Sequence, residues 1–519
     1  MVSFRVLSRN ILSNWMAYVV QVAITFFLTP FVLHQIGDAR YGVWTIVISI
    51  TGYYGVLDLG LRAGMTQYIT RYFSKGDFER MNRAASSGFT LHLGCAACAL
   101  VVTLATAVVA PLCFSFPPEV QAESVWCVLI LGCSTAIQLL LFPFSVALTA
   151  RQRFDLITAA SLFSRIVSAT ATVLLLLSGY GLIGVCAAGA AGNLLDYALR
   201  WAIGRRVLPE LAISLRLASW DSCRECMTFG FWSALLAVSH LVISFSDALV
   251  IGLFMPVSAI AYFALANNLM KYFANIFVPV SQVFYPAATD LDAHDDLRGL
   301  QAMYLKGTRM LSLVAISAAL ITGLWASDFY RLWVGDRYVH TDSYHSVALL
   351  FQILLVGALF TAGTGIGSKI LLGRRRFKGL TWLMLVEGAL NLLISVALIR
   401  PLGLLGVAIG TTLPAVLCRG IAHPIIVCGN LQLRFKDYSR QILWPAVIVA
   451  GVLTPMVAAV HHVTAKSNWT EMVFGGILAT AIAAVMIGGF GLNTSDRQRY
   501  LFPTLRRIAR IRGVLEAKP

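Results

Sequence analysis

The apolar stretches of this chain are too long and too numerous for the core of a water-soluble protein. They fall near residues 12–34, 41–68, 84–111, 120–148, 156–178, 182–204, 227–252, 257–286, 308–325, 345–371, 380–399, 403–427, 441–461 and 470–491. About 20 helical residues cross a ~30 Å hydrocarbon core. Inside that core the backbone has no water to bond, so a spanning segment satisfies its own amides as a helix. Of 519 residues, 58% are hydrophobic and 12% charged, against roughly a quarter charged in a soluble domain. A soluble fold of this composition would lack the polar groups to cover its surface. Arg5 and Arg9 precede the first stretch, which runs through Thr29 without a small-residue cleavage site. It reads as an uncleaved first helix rather than a signal peptide. The expected fold is an all-α membrane protein of about fourteen transmembrane helices.

The net charge of +16 would suit nucleic acid, but its distribution argues for topology instead. With both termini in the cytoplasm, thirty of the forty Lys and Arg fall in cytoplasmic segments or at the cytoplasmic ends of spans. Arg40, Arg331, Arg337, Arg400 and Lys466 fall outside, and Arg62, Arg165, Lys271, Lys369 and Arg419 lie within spans. That asymmetry is the positive-inside pattern, and the basic surplus is a contact surface for anionic lipid heads. No nucleic-acid partner is expected. Two CxxC pairs, Cys95/Cys98 and Cys223/Cys226, lack zinc-site partners at usable spacing, so they read as small packing residues and no metal is expected. The Gly-rich run Gly363-Thr364-Gly365-Ile366-Gly367-Ser368-Lys369 lacks the spacing of a phosphate-binding loop and sits inside a span. The chain thus reads as no enzyme and as a transporter without an ATPase of its own.

An internal repeat organises the chain. Ala147-Leu148-Thr149-Ala150-Arg151-Gln152-Arg153-Phe154 matches Ile370-Leu371-Leu372-Gly373-Arg374-Arg375-Arg376-Phe377, 223 residues later, and Gly181-Leu182-Ile183-Gly184-Val185 matches Gly403-Leu404-Leu405-Gly406-Val407 at 222. The expected layout is an N-terminal six-helix half (1–205), a cytoplasmic linker (206–226), a C-terminal six-helix half (227–427), two appended helices (428–492) and a basic cytoplasmic tail (493–519). Six is even, so both halves enter the membrane from the same side. That predicts parallel repeats around a central cavity. The near absence of polar side chains between Val447 and Val460 predicts peripheral, lipid-contacting helices at the end.

Polar residues inside a bilayer are costly and should face protein or water. Asn14, Tyr18, Gln21, Thr25 and Thr29 lie on one face of the first helix, and Asn267, Lys271 and Asn275 on one face of the eighth. Arg62 follows Asp58 by one turn, so an ion pair competes with ligand contact there. Arg165 and Glu387 fall at matched positions of the repeat, which suggests a bridge between opposite charges. Arg419 and Lys369 sit toward cytoplasmic ends, where long cations snorkel. Asp247, with His240 two turns before it and Glu387 on the eleventh helix, is a candidate coupling-ion site, with polar packing contacts as the alternative.

Several segments resemble the polysaccharide transporter branch of the multidrug/oligosaccharidyl-lipid/polysaccharide exporter superfamily. They are Asn10-Ile11-Leu12-Ser13-Asn14-Trp15, Leu33-His34-Gln35-Ile36-Gly37-Asp38-Ala39-Arg40-Tyr41-Gly42, Leu57-Asp58-Leu59-Gly60-Leu61, Asp247-Ala248-Leu249-Val250-Ile251-Gly252 and Leu332-Trp333-Val334-Gly335. The resemblance implies an alternating-access flippase in the bacterial inner membrane, moving polyprenyl-diphosphate-linked oligosaccharide for surface or secreted polysaccharide. A diphosphate carrying sugars needs a hydroxyl- and amide-lined cavity with a few cations in low dielectric. Lys271, Asn267, Asn275, Arg62, Arg165, Arg419, Asn14 and Gln21 are the candidate lining residues. Implied partners are that lipid-linked substrate, membrane lipids, polysaccharide polymerase machinery and a coupling H+ or Na+. The competing readings are a cation-coupled drug antiporter of the same fold and a membrane glycan polymerase or ligase. The second needs a large outward loop, and the longest here is about twenty residues.

Overall fold

The computed structural model describes residues 4–491, apart from 59, 342 and 465–467. Every regular element among them is helical. The helices are α1 (Phe4–Gly52), α2 (Leu61–Ser74), α3 (Phe78–Cys113), α4 (Pro118–Ala150), α5 (Phe154–Leu177), α6 (Gly181–Val207), α7 (Trp220–Phe254), α8 (Ser258–Ile276), α9 (Val278–Gln282), α10 (Phe284–Ala293), α11 (Leu297–Leu324), α12 (Ala326–Trp333), α13 (Val347–Gly373), α14 (Lys378–Leu402), α15 (Leu404–Ala415), α16 (His423–Asn430), α17 (Phe435–Tyr438), α18 (Trp444–Val463) and α19 (Trp469–Met486).

Twelve helical stretches among the described residues are long and apolar enough to cross a membrane. Two more crossings are hidden by irregular backbone. Gly37, with φ of 78°, breaks α1 into two rods. The stretch 258–293 is divided into α8, α9 and α10, with Pro279 at the start of α9 and Pro286 early in α10, where a missing amide interrupts the ladder. Twelve spans together with these two irregular stretches are compatible with the expected layout of about fourteen. The repeat is written into the backbone as well. Gln152 and Arg375, 223 positions apart, both turn with left-handed φ (54° and 56°), and Gly181 and Gly403 do so at 52° and 56°. Gly76 and Asp295 add a third matched corner, each followed by an aspartate, Asp77 or Asp296, that caps the next helix.

The chain divides into two compact units. The first holds residues up to Asn268 together with Thr381–Pro414. Its centre is the α3–α4–α6 packing, with α5 against α6 and α1 against α4, α5 and α7. Small residues let these backbones approach, as is usual where lipid removes the hydrophobic drive between helices. On α3 the buried residues Ala96, Ala99, Thr103, Ala107 and Ala110 recur every three or four positions. A Cβ on Gly132 of α4 would collide with Thr103. A Cβ on Gly52 would come within 2.6 Å of the Phe245 ring, so the end of α1 lies directly on α7.

The second unit holds Leu269–Leu380 and the chain from Ala415 onward. Here α18 and α19 pack on α11: Val449, Leu453 and Val457, spaced one turn apart, are buried with Leu313, Trp325, Ala479 and Ala483. The opposite faces remain apolar and exposed, with Val447, Val452, Phe474, Ile477 and Val485 among them. That is the amphipathy of a helix with protein on one side and lipid on the other. A polar clasp holds the top of α18, where His461 Nε2 lies 2.8 Å from Asp328 Oδ2 of α12, and Arg331 Nη2 lies 3.3 Å from Asp328 Oδ1.

Candidate functional site

Four polar constellations within the helices bear on function. The first is a cavity of about 290 Å³ among α1, α5 and α6. Gln21 and Thr25 enter from α1, Ser161, Arg165 and Ser168 from α5, and Asn193, Asp196 and Arg200 from α6. Gly192 explains how α5 and α6 come together beneath it, since a Cβ there would collide with Ser168 and lie 3.3 Å from the Ser164 carbonyl. Ser168 Oγ donates to the Ala188 carbonyl at 3.0 Å, tying the same two helices. The charges are unequally committed. Arg200 Nη2 pairs with Asp196 Oδ2 at 2.7 Å and donates to Ser161 Oγ at 2.6 Å, and Ser161 Oγ donates to Asp196 Oδ1 at 3.1 Å. Arg165 makes no ion pair or hydrogen bond among the described residues, including with Glu387, so no bridge forms at the matched repeat positions. The cavity therefore carries one uncompensated cation amid amides and hydroxyls.

The second constellation is compact. Arg62 Nε lies 3.3 Å from Asp58 Oδ2, its guanidinium sits 4.7 Å over the Phe142 ring, and Nη1 donates to Tyr197 OH at 3.4 Å. His92 of α3 completes it, with Nε2 3.1 Å from Asp58 Oδ1.

The third links α7, α14 and α15. Ser246 Oγ donates to Asn391 Oδ1 at 3.0 Å, Asn391 Nδ2 donates to Thr411 Oγ1 at 3.0 Å, and Thr411 Oγ1 lies 3.1 and 3.0 Å from the two oxygens of Asp247 and 3.1 Å from the Val407 carbonyl. Asp247, Asn391 and Glu387, one turn before Asn391, are all buried. His240 is exposed and contacts Ser244 at 3.2 Å. The fourth lies in the second unit: Arg419 Nη1 donates to Thr361 Oγ1 at 2.6 Å beside a cavity of about 90 Å³ that Tyr438, Ser312 and Thr364 also line. Arg419 stands in a π-helical segment, Val416–Ala422, and a second such segment, Ser439–Leu443, flanks the same cavity.

Of the residues expected from sequence, Gln21 and Arg165 are brought together. Arg62 and Arg419 stand in separate clusters. Asn267 is half-buried at the end of the first unit's share of α8. Lys271 is half-buried in the second unit and interacts within the protein, and Asn275 is exposed. Asn14 lies outside the residues whose side chains are described. Sequence reasoning missed Asn193, Asp196 and Arg200, although an acid and a base one turn apart inside a span were a readable signal. It also missed Thr411 and His92, single polar residues in apolar helices that carried no periodic signal.

The comparisons with known proteins agree with this architecture. A family model described as "Polysaccharide biosynthesis protein" matches residues 36–342. The uncharacterized membrane protein EpsK of Bacillus subtilis is 22% identical over 98% of this chain and 99% of its own length. A putative O-antigen transporter of Shigella flexneri is 18% identical over 79% of this chain and 95% of its own. Among solved structures, a lipid II flippase MurJ in an inward closed conformation superposes with a TM-score of 0.71 at 13% identity, covering 92% of this chain and 98% of that one. An inward-facing multidrug resistance MATE family transporter superposes at 0.64 with 13% identity, covering 80% and 99%. With the family model matching more than half its length, a multi-pass helical architecture and the fold of that flippase and that transporter, the chain belongs to the polysaccharide biosynthesis protein family of membrane proteins.

Proposed function

We propose that this protein translocates a polyprenyl-diphosphate-linked oligosaccharide across the bacterial inner membrane by alternating access, for surface or secreted polysaccharide. The observation that carries the reading is the α1–α5–α6 cavity, in which Arg165 is a cation without a protein partner among the described residues. Arg165 is exposed on this cavity, and a guanidinium without a protein partner suits phosphate oxygens. Gln21, Asn193 and the serines supply donors and acceptors for sugar hydroxyls. At about 290 Å³ the cavity sits at the small end of ligand sites, which run from ~300 to 1,000 Å³. It would seat the phosphorylated end of such a substrate rather than the whole chain.

The Asp247–Thr411 pair, with the Val407 carbonyl, brings together oxygens of the kind hard cations prefer, and we assign a coupling H+ or Na+ to it. Deleting the gene should leave lipid-linked oligosaccharide on the cytoplasmic leaflet and remove the corresponding glycan, and the complementing protein should depend on the proton or sodium gradient in the same assay. Unchanged surface glycan in a strain without a redundant flippase would overturn the reading.

A further inference from the structure

The two halves of the repeat carry opposite charge at one matched position. Between α4 and α5 the chain reads Arg151-Gln152-Arg153-Phe154-Asp155, and between α13 and α14 it reads Arg374-Arg375-Arg376-Phe377-Lys378. In the first unit the corner is neutralised where it stands. Arg153 holds Asp155 through two bonds of 3.0 and 3.1 Å, and Arg151 lies over the Phe73 ring with Glu210 3.8 Å away. In the second unit a lysine takes the place of the acid. A basic corner with a paired acid already serves topology, so the change from Asp155 to Lys378 needs another reason.

Arg374 ties this corner to its neighbours in the second unit. Its Nε lies 2.7 Å from Asp292 Oδ1 of α10, and its Nη1 donates to the Asn430 carbonyl at 2.5 Å. Arg376 Nη1 donates to Asn430 Oδ1 at 3.5 Å. Asn430 ends α16, and Arg434, Lys436 and Arg440 follow it around the short α17. Those three, with Arg375 and Arg376, are exposed and make no ion pair among the described residues. Of the acids on the adjoining corner, Asp292 is held by Arg374 and Asp296 caps α11. That leaves Asp290, Asp295 and Asp437 against these five and the exposed Lys378.

The segment that carries Lys436 and Arg440 is also the wall of a cavity. Tyr438, Ile442 and Leu443 line its space of about 90 Å³, opposite the apolar side chains of Ile316, Leu359 and Phe360. Ser439–Leu443 is π-helical, a wide turn that recurs at functional sites. Phe435 and Trp444, at the two ends of the segment, are exposed, and the Phe435 ring stacks on Tyr438 with centroids 5.7 Å apart. Cations and aromatic rings at the ends of spans mark the depth of lipid headgroups.

We propose that this end of the second unit binds one anionic phospholipid of the surrounding membrane. Its phosphate lies on the unpaired cations of the two joined corners, and an acyl chain enters the cavity lined by Tyr438, Ile442 and Leu443. The site is separate from the Arg165 cavity and the Asp247 network, and it needs no transport substrate.

Native mass spectrometry of the purified full-length protein, titrated with phosphatidylglycerol or phosphatidylcholine of the same chains, tests this directly. The first phosphatidylglycerol should bind more tightly, with an advantage that shrinks as ionic strength rises. A cation near a membrane surface is worth about fivefold in affinity, so the triple variant Arg375→Gln, Lys436→Gln, Arg440→Gln should lose tenfold or more. Lys436→Gln alone should lose a few-fold, which keeps the test available where the triple variant does not fold. Arg71→Gln, Lys75→Gln, Arg206→Gln removes three exposed cations from the first unit and should leave the affinity unchanged. The chainless headgroup glycerophosphoglycerol should compete at least tenfold more weakly than the lipid, since each buried methylene multiplies affinity by about fourfold. Equal binding of the two lipids by the wild type would overturn the proposal. So would an equal loss in the first-unit variant, an unchanged affinity in folded Lys436→Gln, or full competition by the headgroup.

Discussion

Arg165 and Arg62 belong to the same half of the chain and to the same compact unit, and their surroundings could hardly differ more. Arg62 has a carboxylate, a phenol and an aromatic face around it. Arg165, on the cavity among α1, α5 and α6, has none of these among the described residues, while its neighbour Arg200 is neutralised by Asp196. Arg165 is exposed on its cavity, and the Arg62 side chain is 38% exposed beside a largely buried carboxylate. At Arg62 the protein itself supplies the compensation, so the residue is part of the scaffold. At Arg165 the compensation is left to solvent or a ligand, so the residue is available for binding. Equal charge inside a span is therefore no guide to role. The count of partners is.

That contrast can be broken by mutation. Arg62→Ala should have the largest effect on the folded protein. It leaves the carboxylate of Asp58 facing His92 without its guanidinium, and removing one member of a buried pair costs about 3–5 kcal/mol. Partial exposure of Arg62 brings the expected loss toward about 2–3 kcal/mol. Thermal unfolding in detergent and the level of protein in the membrane measure it. A variant as stable as the wild type would move Arg62 into the ligand class.

Arg165→Ala should do the reverse, leaving stability within about 0.5 kcal/mol, as for substitutions away from packed features. Transport should fall by about 10- to 100-fold, the weight of one charge-assisted contact of 1.5–3 kcal/mol. Arg165→Lys should restore part of it, since an ammonium keeps the charge but loses the bidentate fork. Glycan export normalised to membrane protein is the measurement. Full export by a well-expressed Arg165→Ala variant would end the ligand role.

The smallest effect, and the sharpest discrimination, belongs to Asn193→Ala on the same cavity. One neutral hydrogen bond to a sugar hydroxyl is worth about 0.5–1.5 kcal/mol, a change of a few-fold. It should appear in the apparent affinity for long-chain substrate and leave unfolding untouched. A loss as large as that of Arg165→Ala would mean that Asn193 positions the arginine rather than the sugar.

The molecule shows where sequence reasoning carries and where it stops. The spans are legible because the bilayer imposes a length and a polarity on every crossing segment, and both are local properties. The repeat is legible because its corners need residues that turn with left-handed φ, and those recur at offsets of 223 and 222: Gln152 with Arg375, and Gly181 with Gly403. The pairing of Arg62 with Asp58 was visible as an i,i+4 spacing. Gln21 and Arg165 were legible one at a time as polar residues in apolar helices, yet nothing in the chain places position 21 beside position 165.

Only the tertiary structure decides which charges meet. It closes Gly192 against Ser168 so that a cavity opens beside Arg165. It brings Thr411 from α15 onto Asp247 of α7, 164 positions away, and sets His92 against Asp58 across a helix break. The physical reason is the range of the forces involved. Partition into lipid acts residue by residue and is summed along the sequence. Compensation of a buried charge acts through contacts of about 3 Å, and the chain reaches those only after helices far apart in sequence have packed.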